Sequence, residues 1–178
     1  MKQPPKPPKQ PNHSYDFYTQ KKLGLQGEER LDSFFTRWYI IQEVPFELQR
    51  EGVDRFYIPR HGEVTFPRLV EYKTDYQDTG NAFVETHSVI RAGQREIKGW
   101  LHTSKADWLI YFMAVDETAF VINFATLRQA AITWESEQLC KRRDCVNRNY
   151  KGSGLVVPIK FMLRASHAVF KVPYCFEF

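Results

Sequence analysis

Residues 52–54, Gly52-Val53-Asp54, and residues 69–73, Leu69-Val70-Glu71-Tyr72-Lys73, put one aspartate, one glutamate and one lysine on two short strand-like segments. Asp, Glu and Lys are depleted in strands, because a pleated, half-buried surface favours branched and aromatic side chains. Three of them beside Val53, Phe56, Ile58, Leu69 and Val70 need a reason, and a metal site supplies one. Side chains at i and i+2 leave the same face of a strand roughly 7 Å apart, so Glu71 and Lys73 are expected to project together, with Tyr72 on the other face. Pairing of 52–58 with 68–74 as a hairpin brings Asp54 to that same face. Two carboxylates can then hold a hard cation through oxygen, and an ammonium beside them can orient or help deprotonate a water.

Working outward, residues 26–39 carry Leu31, Phe34, Phe35 and Trp38 at helical spacing, which predicts an amphipathic helix. Glu28 precedes Leu31 by three and Phe35 by seven, so it is expected on their inward face, with Glu29 and Asp32 on the other side. Tyr39 to Phe46 reads as a first strand, with Pro45 near its end or at an edge. Residues 52–58 and 67–74 follow as strands, separated by Pro59, Gly62 and Pro67. The continuous apolar run Trp108 to Met113 predicts a strand buried on both faces, with Ala119 to Phe124 as its neighbour. The fold class expected is α/β, with a central mixed sheet of about five strands flanked by helices. Leu127 to Gln138 is expected to be helical, and Leu155 to Phe161 and Ala168 to Tyr174 to be late strands.

The pattern around Asp54, Glu71 and Lys73 resembles the PD-(D/E)xK nuclease superfamily, whose restriction-endonuclease-like core also serves Holliday-junction resolvases and phage and repair nucleases. The resemblance spans about residues 24–113 and rests on Glu28 in the first helix, Asp54 in Gly-Val-Asp, and Glu71 with Lys73 in Glu-Tyr-Lys. It implies that Asp54, Glu71 and the backbone carbonyl of Tyr72 bind Mg²⁺ or Mn²⁺, that Lys73 places the attacking water, and that Glu28 supports the metal shell. No proline precedes Asp54 directly; Gly-Val-Asp is similar to the variant in resolvase-like and phage-type members. Family members often carry Gln-x-x-x-Tyr after the Glu-x-Lys strand, and here Gln94 is followed at that offset by Lys98. Glu85 is a further acid that can face back toward the metal, in a segment where Gly80 and Asn81 suit a tight turn. Resolvase-like members act as symmetric homodimers.

Bulk properties agree with that reading and narrow it. A chain of 178 residues, 43% hydrophobic and 15% aromatic, has material for one domain with a real core. We expect a Pro/Lys-rich arm over 1–22 and a single nuclease-like domain over 23–178. No apolar run approaches a membrane-spanning length and the first ten residues have no signal-peptide core, so a cytoplasmic setting is expected, the host cytoplasm if the chain is phage-encoded. Cys140, Cys145 and Cys175 form neither a disulfide framework nor a zinc spacing. No phosphate-cradling Gly-x-x-x-x-Gly-Lys-Ser/Thr stretch occurs, and no Gly-x-Ser-x-Gly elbow. His87 and His102 follow Lys73 and are read as surface or hydrogen-bonded histidines.

The net charge of +4 divides sharply along the chain. Glu43 to Glu85 holds nine acids against five bases, whereas Lys141 to Arg164 holds seven bases against one acid. An acidic centre with basic flanks suits a metal-dependent enzyme acting on a polyanion. Arg91, Arg95, Lys98, Lys105, Lys141, Arg142 and Arg143 are the expected DNA-binding bases, acting mostly through phosphates. The function expected is therefore metal-dependent hydrolysis of DNA phosphodiesters, endonucleolytic in type. The alternatives are an inactive nuclease-fold module for DNA binding or assembly, and an interaction protein in which Asp54, Glu71 and Lys73 point to different places.

Overall fold

A computed structural model describes residues 17–61, 66–90, 96–146 and 151–174, without side-chain surroundings for 17–20, 89, 90 and 146. The elements in chain order are α1 (Phe17–Phe35), β1 (Tyr39–Glu43), α2 (Phe46–Gln49), β2 (Arg55–Pro59), β3 (Arg68–Asp75), β4 (Asn81–Ile90) and β5 (Ile97–Lys98). They continue with α3 (Trp100–Thr103), β6 (Trp108–Met113), β7 (Thr118–Asn123), α4 (Phe124–Ser136), β8 (Lys141–Val146), β9 (Lys151–Pro158), α5 (Ile159–Ala165) and β10 (Ala168–Lys171). The molecule is mixed α/β with two sheets, where the sequence predicted one of about five strands. One sheet has six strands in the order β1-β2-β3-β6-β7-β10, and the other four in the order β5-β4-β9-β8.

The six-stranded sheet is mixed: β3 and β6 run parallel, with Glu71 opposite Leu109 and Lys73 opposite Tyr111, and its other neighbours are antiparallel. A parallel pair requires a crossover, which β4, β5 and α3 supply. The apolar runs of β6 and β7 are continuous because both faces of this sheet are covered. On one face Ile110, Phe112, Ala119 and Val121 meet Leu31, Phe34 and Phe35 of α1. On the other, Leu109, Tyr111, Phe120 and Ile122 meet Val84 of β4, Leu155 and Val157 of β9, and Leu127, Ala131 and Trp134 of α4. Alternation along each strand thus feeds two cores from one sheet. Among the described residues no helix is long and apolar enough to cross a membrane.

Several sequence expectations shift. Helix α1 ends at Phe35, leaving Trp38 on the turn beyond it, and begins at Phe17, so residues 17–22 of the expected arm are helical; residues 1–16 lie outside the described residues. The first strand stops at Glu43, because Pro45 starts the short α2 as its N-cap instead of edging a strand. Strand β9 starts earlier than expected and stops at Pro158, after which Ile159 to Ala165 is helical. The second sheet was hidden by charge: β8 reads KRRDCV, a sequence without apolar alternation, held by its ladder with β9.

Candidate active site

Asp54 precedes β2, one residue before Arg55, which lies opposite Val70. The antiparallel register therefore sets Asp54 against Glu71. The Asp54 N–H donates to Val70 O at 2.8 Å, and its Oδ2 accepts the Tyr72 N–H at 2.7 Å. Its carboxylate consequently rests on the peptide that joins Glu71 to Tyr72. The expected grouping of Asp54, Glu71 and Lys73 on one side of the hairpin is what the register produces, with Tyr72 facing the α1 core.

The approach to Asp54 is built from a tight turn. Gly52 has φ +73°, and a Cβ there would lie 3.0 Å from the Ser104 Cα and 3.2 Å from Glu71 Oε2, so both conformation and space require glycine. Ser104 Oγ donates to Gly52 O at 2.7 Å and accepts the Ala106 N–H at 3.2 Å, and the Lys105 N–H donates to Glu51 O. The segment carrying Asp54 is thereby stapled between β3 and the loop after α3.

Glu71 is 1% exposed. Its Oε1 lies 2.5 Å from Lys73 Nζ, while Oε2 is buried without a hydrogen-bond partner, since the nearby Ser104 proton is spent on Gly52 O. Burial pushes the Glu71 carboxyl above its ordinary value; Lys73 pulls it back and Asp54 pushes it further up. For Lys73, burial works against the ammonium, but Glu71 and Asp54 outweigh it and the net shift is upward. Lys73 is therefore charged at neutral pH, with about a third of its side chain (34%) open to solvent. Glu85 on β4 is half-buried, accepts from Ser88 Oγ at 2.6 Å, and adds to the negative field at Lys73.

Glu28 reaches this centre through Arg55. The guanidinium donates to Glu28 Oε2 at 3.1 Å, to Asp32 Oδ2 at 2.9 Å, and to the Asp54 carbonyl at 2.9 Å. Burial, and after it the charge of Asp54, push the Glu28 carboxyl up, with Arg55 opposing. Here the sequence reading of the helix phase needs correction. Asp32 lies on the same face as Glu28, as i and i+4 must, and not with Glu29 on the far side. Asp32 and Arg55 are site-building residues that the sequence reading missed; the signal was the i, i+4 acid pair plus an arginine directly after Asp54. Asp32 Oδ1 also accepts the Tyr72 hydroxyl at 2.8 Å. Because that spends the Tyr72 proton, the 2.5 Å contact between the Tyr57 and Tyr72 hydroxyls is donated by Tyr57.

The expected DNA-binding bases do not form one patch. Lys105 pairs with Glu51 at 2.8 Å beside the Gly52 turn, and Lys98 is exposed on β5. On β8, Arg142 sits opposite buried Leu155 but is itself exposed, bonding the exposed Glu135 and lying 3.5 Å from His87 Nδ1. Lys141 and Arg143 alternate to the outer face and are exposed. Burial lowers the His102 pKa, with Lys98 and His87 adding to the effect. Arg91, Gln94 and Arg95 lie outside the described residues.

A hard divalent cation fits the donor set on one observation: Glu71 Oε2 is a buried carboxylate oxygen with no donor, flanked by Asp54. The set is two carboxylates plus backbone oxygen, and among the described residues no group of three or more His, Cys, Asp or Glu side chains forms a metal cluster. Cys140 and Cys145 are free thiols. No family model, curated protein or solved structure matches the chain.

Proposed function

We propose that this chain is a metal-dependent DNA nuclease with a restriction-endonuclease-like core, cutting phosphodiesters endonucleolytically. The observation that carries the reading is the buried, unpartnered Glu71 Oε2 beside Asp54, with the charged Lys73 two residues along the same strand face. The element order supports it: a helix, an antiparallel three-strand meander with Asp54 directly before its second strand and Glu71 within its third, and β6 running parallel to that third strand.

Asp54, Glu71 and the Tyr72 carbonyl would hold Mg²⁺ or Mn²⁺, which when bound polarises the scissile phosphate and lowers the pKa of a water. The chain's own contributions follow from the geometry. The Tyr72 amide holds the Asp54 carboxylate in place before substrate arrives, which reduces reorganisation during the reaction. Lys73 brings a positive charge to the position where negative charge accumulates on the phosphoryl oxygens. Glu28 acts at one remove, through the guanidinium that also binds the Asp54 carbonyl.

Incubation with linear, circular and branched DNA and Mg²⁺ or Mn²⁺ tests the reading. Cleavage of a closed circle, lost in EDTA and in Asp54→Asn and Glu71→Gln, is the expected result. Undiminished cutting in excess EDTA, or by both variants, would refute it.

A further inference from the structure

On the face of the six-stranded sheet opposite Glu71 and Lys73 lies a cavity of about 490 Å³, beyond the C-terminal end of α1. Its walls are unusual in composition. Eight of its twelve lining residues carry aromatic rings, among them Trp38, Tyr39, Tyr57, Trp108, His167 and Phe170. The rings form a continuous surface: Tyr39 lies 4.9 Å from Tyr57 and 6.3 Å from Trp108, and Trp108 lies 5.3 Å from His167. The Tyr57 hydroxyl is spent on Tyr72, so Tyr57 offers the cavity its ring.

Two arginines outside the lining sit next to it. Arg68 sits directly opposite Tyr57 in the β2–β3 register, which puts it on the cavity face, and its guanidinium carbon lies 5.7 Å from the Trp108 ring. Arg60 donates to the Thr36 and Tyr39 carbonyls, on the turn that carries Trp38. Among the described residues neither Arg60 nor Arg68 has a carboxylate partner, and the adjacent acid, Asp107, has Oδ2 committed to the Leu69 N–H at 2.9 Å. A lipid tail or aliphatic ligand would leave those charges unanswered. A planar ring bearing an anion satisfies both parts, by stacking on the aromatic faces and pairing with guanidinium.

From this combination of an aromatic wall and an adjacent arginine that meets no carboxylate among the described residues we infer that the cavity is a nucleotide-binding subsite, taking one nucleobase among Trp38, Tyr39 and Trp108 with its phosphate toward Arg68. It is separate from the carboxylate centre, being on the other face of the sheet, and does not depend on that centre's chemistry. The nucleotide can be free or the terminal unit of a single strand; the shared chemistry is base plus phosphate.

The test is a titration of the full chain in EDTA, read by tryptophan fluorescence and calorimetry, with deoxyadenosine monophosphate, deoxyadenosine, inorganic phosphate and octanoate. Deoxyadenosine monophosphate should bind saturably, at least ~10-fold more tightly than any of the other three, because only it uses both stacking and charge. Arg68→Ala, at an exposed position, should weaken the nucleotide at least ~5-fold while leaving the nucleoside unchanged. Ala168→Leu, which narrows the bowl, should remove both. A 5′-phosphorylated pentanucleotide binding more tightly than the mononucleotide assigns the site to a strand end, and the reverse order to a free nucleotide. Lys73→Ala should bind the nucleotide as the parent does, even if the nuclease reading fails. No saturable binding, octanoate binding equally well, an unaltered Arg68→Ala, or loss of binding in Lys73→Ala would each overturn the inference.

Discussion

The Tyr72 amide donates to Asp54 Oδ2 at 2.7 Å, while the Tyr72 phenol, on the opposite face of the sheet, donates to Asp32. One residue thus ties the acidic centre to the helix that carries Glu28. Its hydroxyl also receives the Tyr57 proton, and burial drives both phenol pKa values well up, so the pair stays neutral and acts as a fixed hydrogen-bonded strut. Removing the Tyr72 hydroxyl should show what the strut contributes. Tyr72→Phe leaves the amide bond to Asp54 intact but strands the Tyr57 proton and withdraws one bond from Asp32, at a cost of about 1–3 kcal/mol. Urea unfolding of the two proteins measures it, and an unchanged midpoint would refute the strut.

Arg55 is the common partner of Glu28, Asp32 and the Asp54 carbonyl, and its side chain is only 13% exposed. Lysine cannot reproduce three directed bonds from one planar group, so Arg55→Lys should behave nearly as badly as Arg55→Ala. Each should lose about 2–4 kcal/mol of stability, since two half-buried carboxylates are left unpaired. Rescue by lysine would mean that charge alone is required.

Gly52 makes a sharper local test. Gly52→Ala must adopt a left-handed backbone and press its methyl toward Ser104 and Glu71. A loss of about 1–3 kcal/mol is expected. Because the pressed atoms include Glu71 Oε2, Mn²⁺ affinity should fall as well, which paramagnetic titration measures; a purely structural glycine would leave it unchanged.

These tests fall where the sequence was legible and where it was not. The Asp54, Glu71, Lys73 grouping could be read because strand parity is strict and a single register decides it. Asp32 was misplaced although its i+4 spacing to Glu28 was in view, because its partner, Arg55, comes from another element. The second sheet escaped because β4 reads NAFVETHSVI and β8 reads KRRDCV, so polar residues at edge and bulge positions break the alternation that marks a strand. The aromatic cavity was invisible for a different reason. Its walls come from Phe35 to Phe170, and only the sheet order brings them together.

Burial raises the Glu71 carboxyl pKa, so at the proposed centre protons compete with metal at higher pH than at an ordinary carboxylate. Mn²⁺ affinity should therefore fall as pH is lowered, sooner than it would at an ordinary carboxylate site. The stability of the metal-free protein runs the other way. A carboxyl whose folded pKa is raised contributes stability that is full below its unfolded pKa and is lost as pH rises through the folded one. Glu71→Gln should flatten this part of the metal-free stability profile, and a profile indifferent to that change would count against a raised Glu71.

Under the proposed nuclease function Lys73 should contribute to chemistry more than to binding. Its Nζ is held at 2.5 Å by Glu71, inside the centre, so Lys73→Ala should lower turnover by at least ~100-fold with little change in DNA affinity. Cleavage at the parental rate would move the inactive-module alternative ahead.

The basic strand β8 should show the opposite separation, but with a different pair of residues from the one sequence order suggests. Arg142 is exposed and already paired with Glu135, so it is less available to a phosphate than an unpaired base. Lys141 and Arg143 share the outer face, and no described acid pairs with either. If duplex DNA lies across that face, Lys141→Ala with Arg143→Ala removes two phosphate contacts and should reduce the slope of log affinity against log salt by roughly 2. Turnover at saturating DNA should stay near parental, because neither residue reaches the carboxylate centre. Filter binding across a salt series reads the slope directly, and an unchanged slope would place the DNA elsewhere.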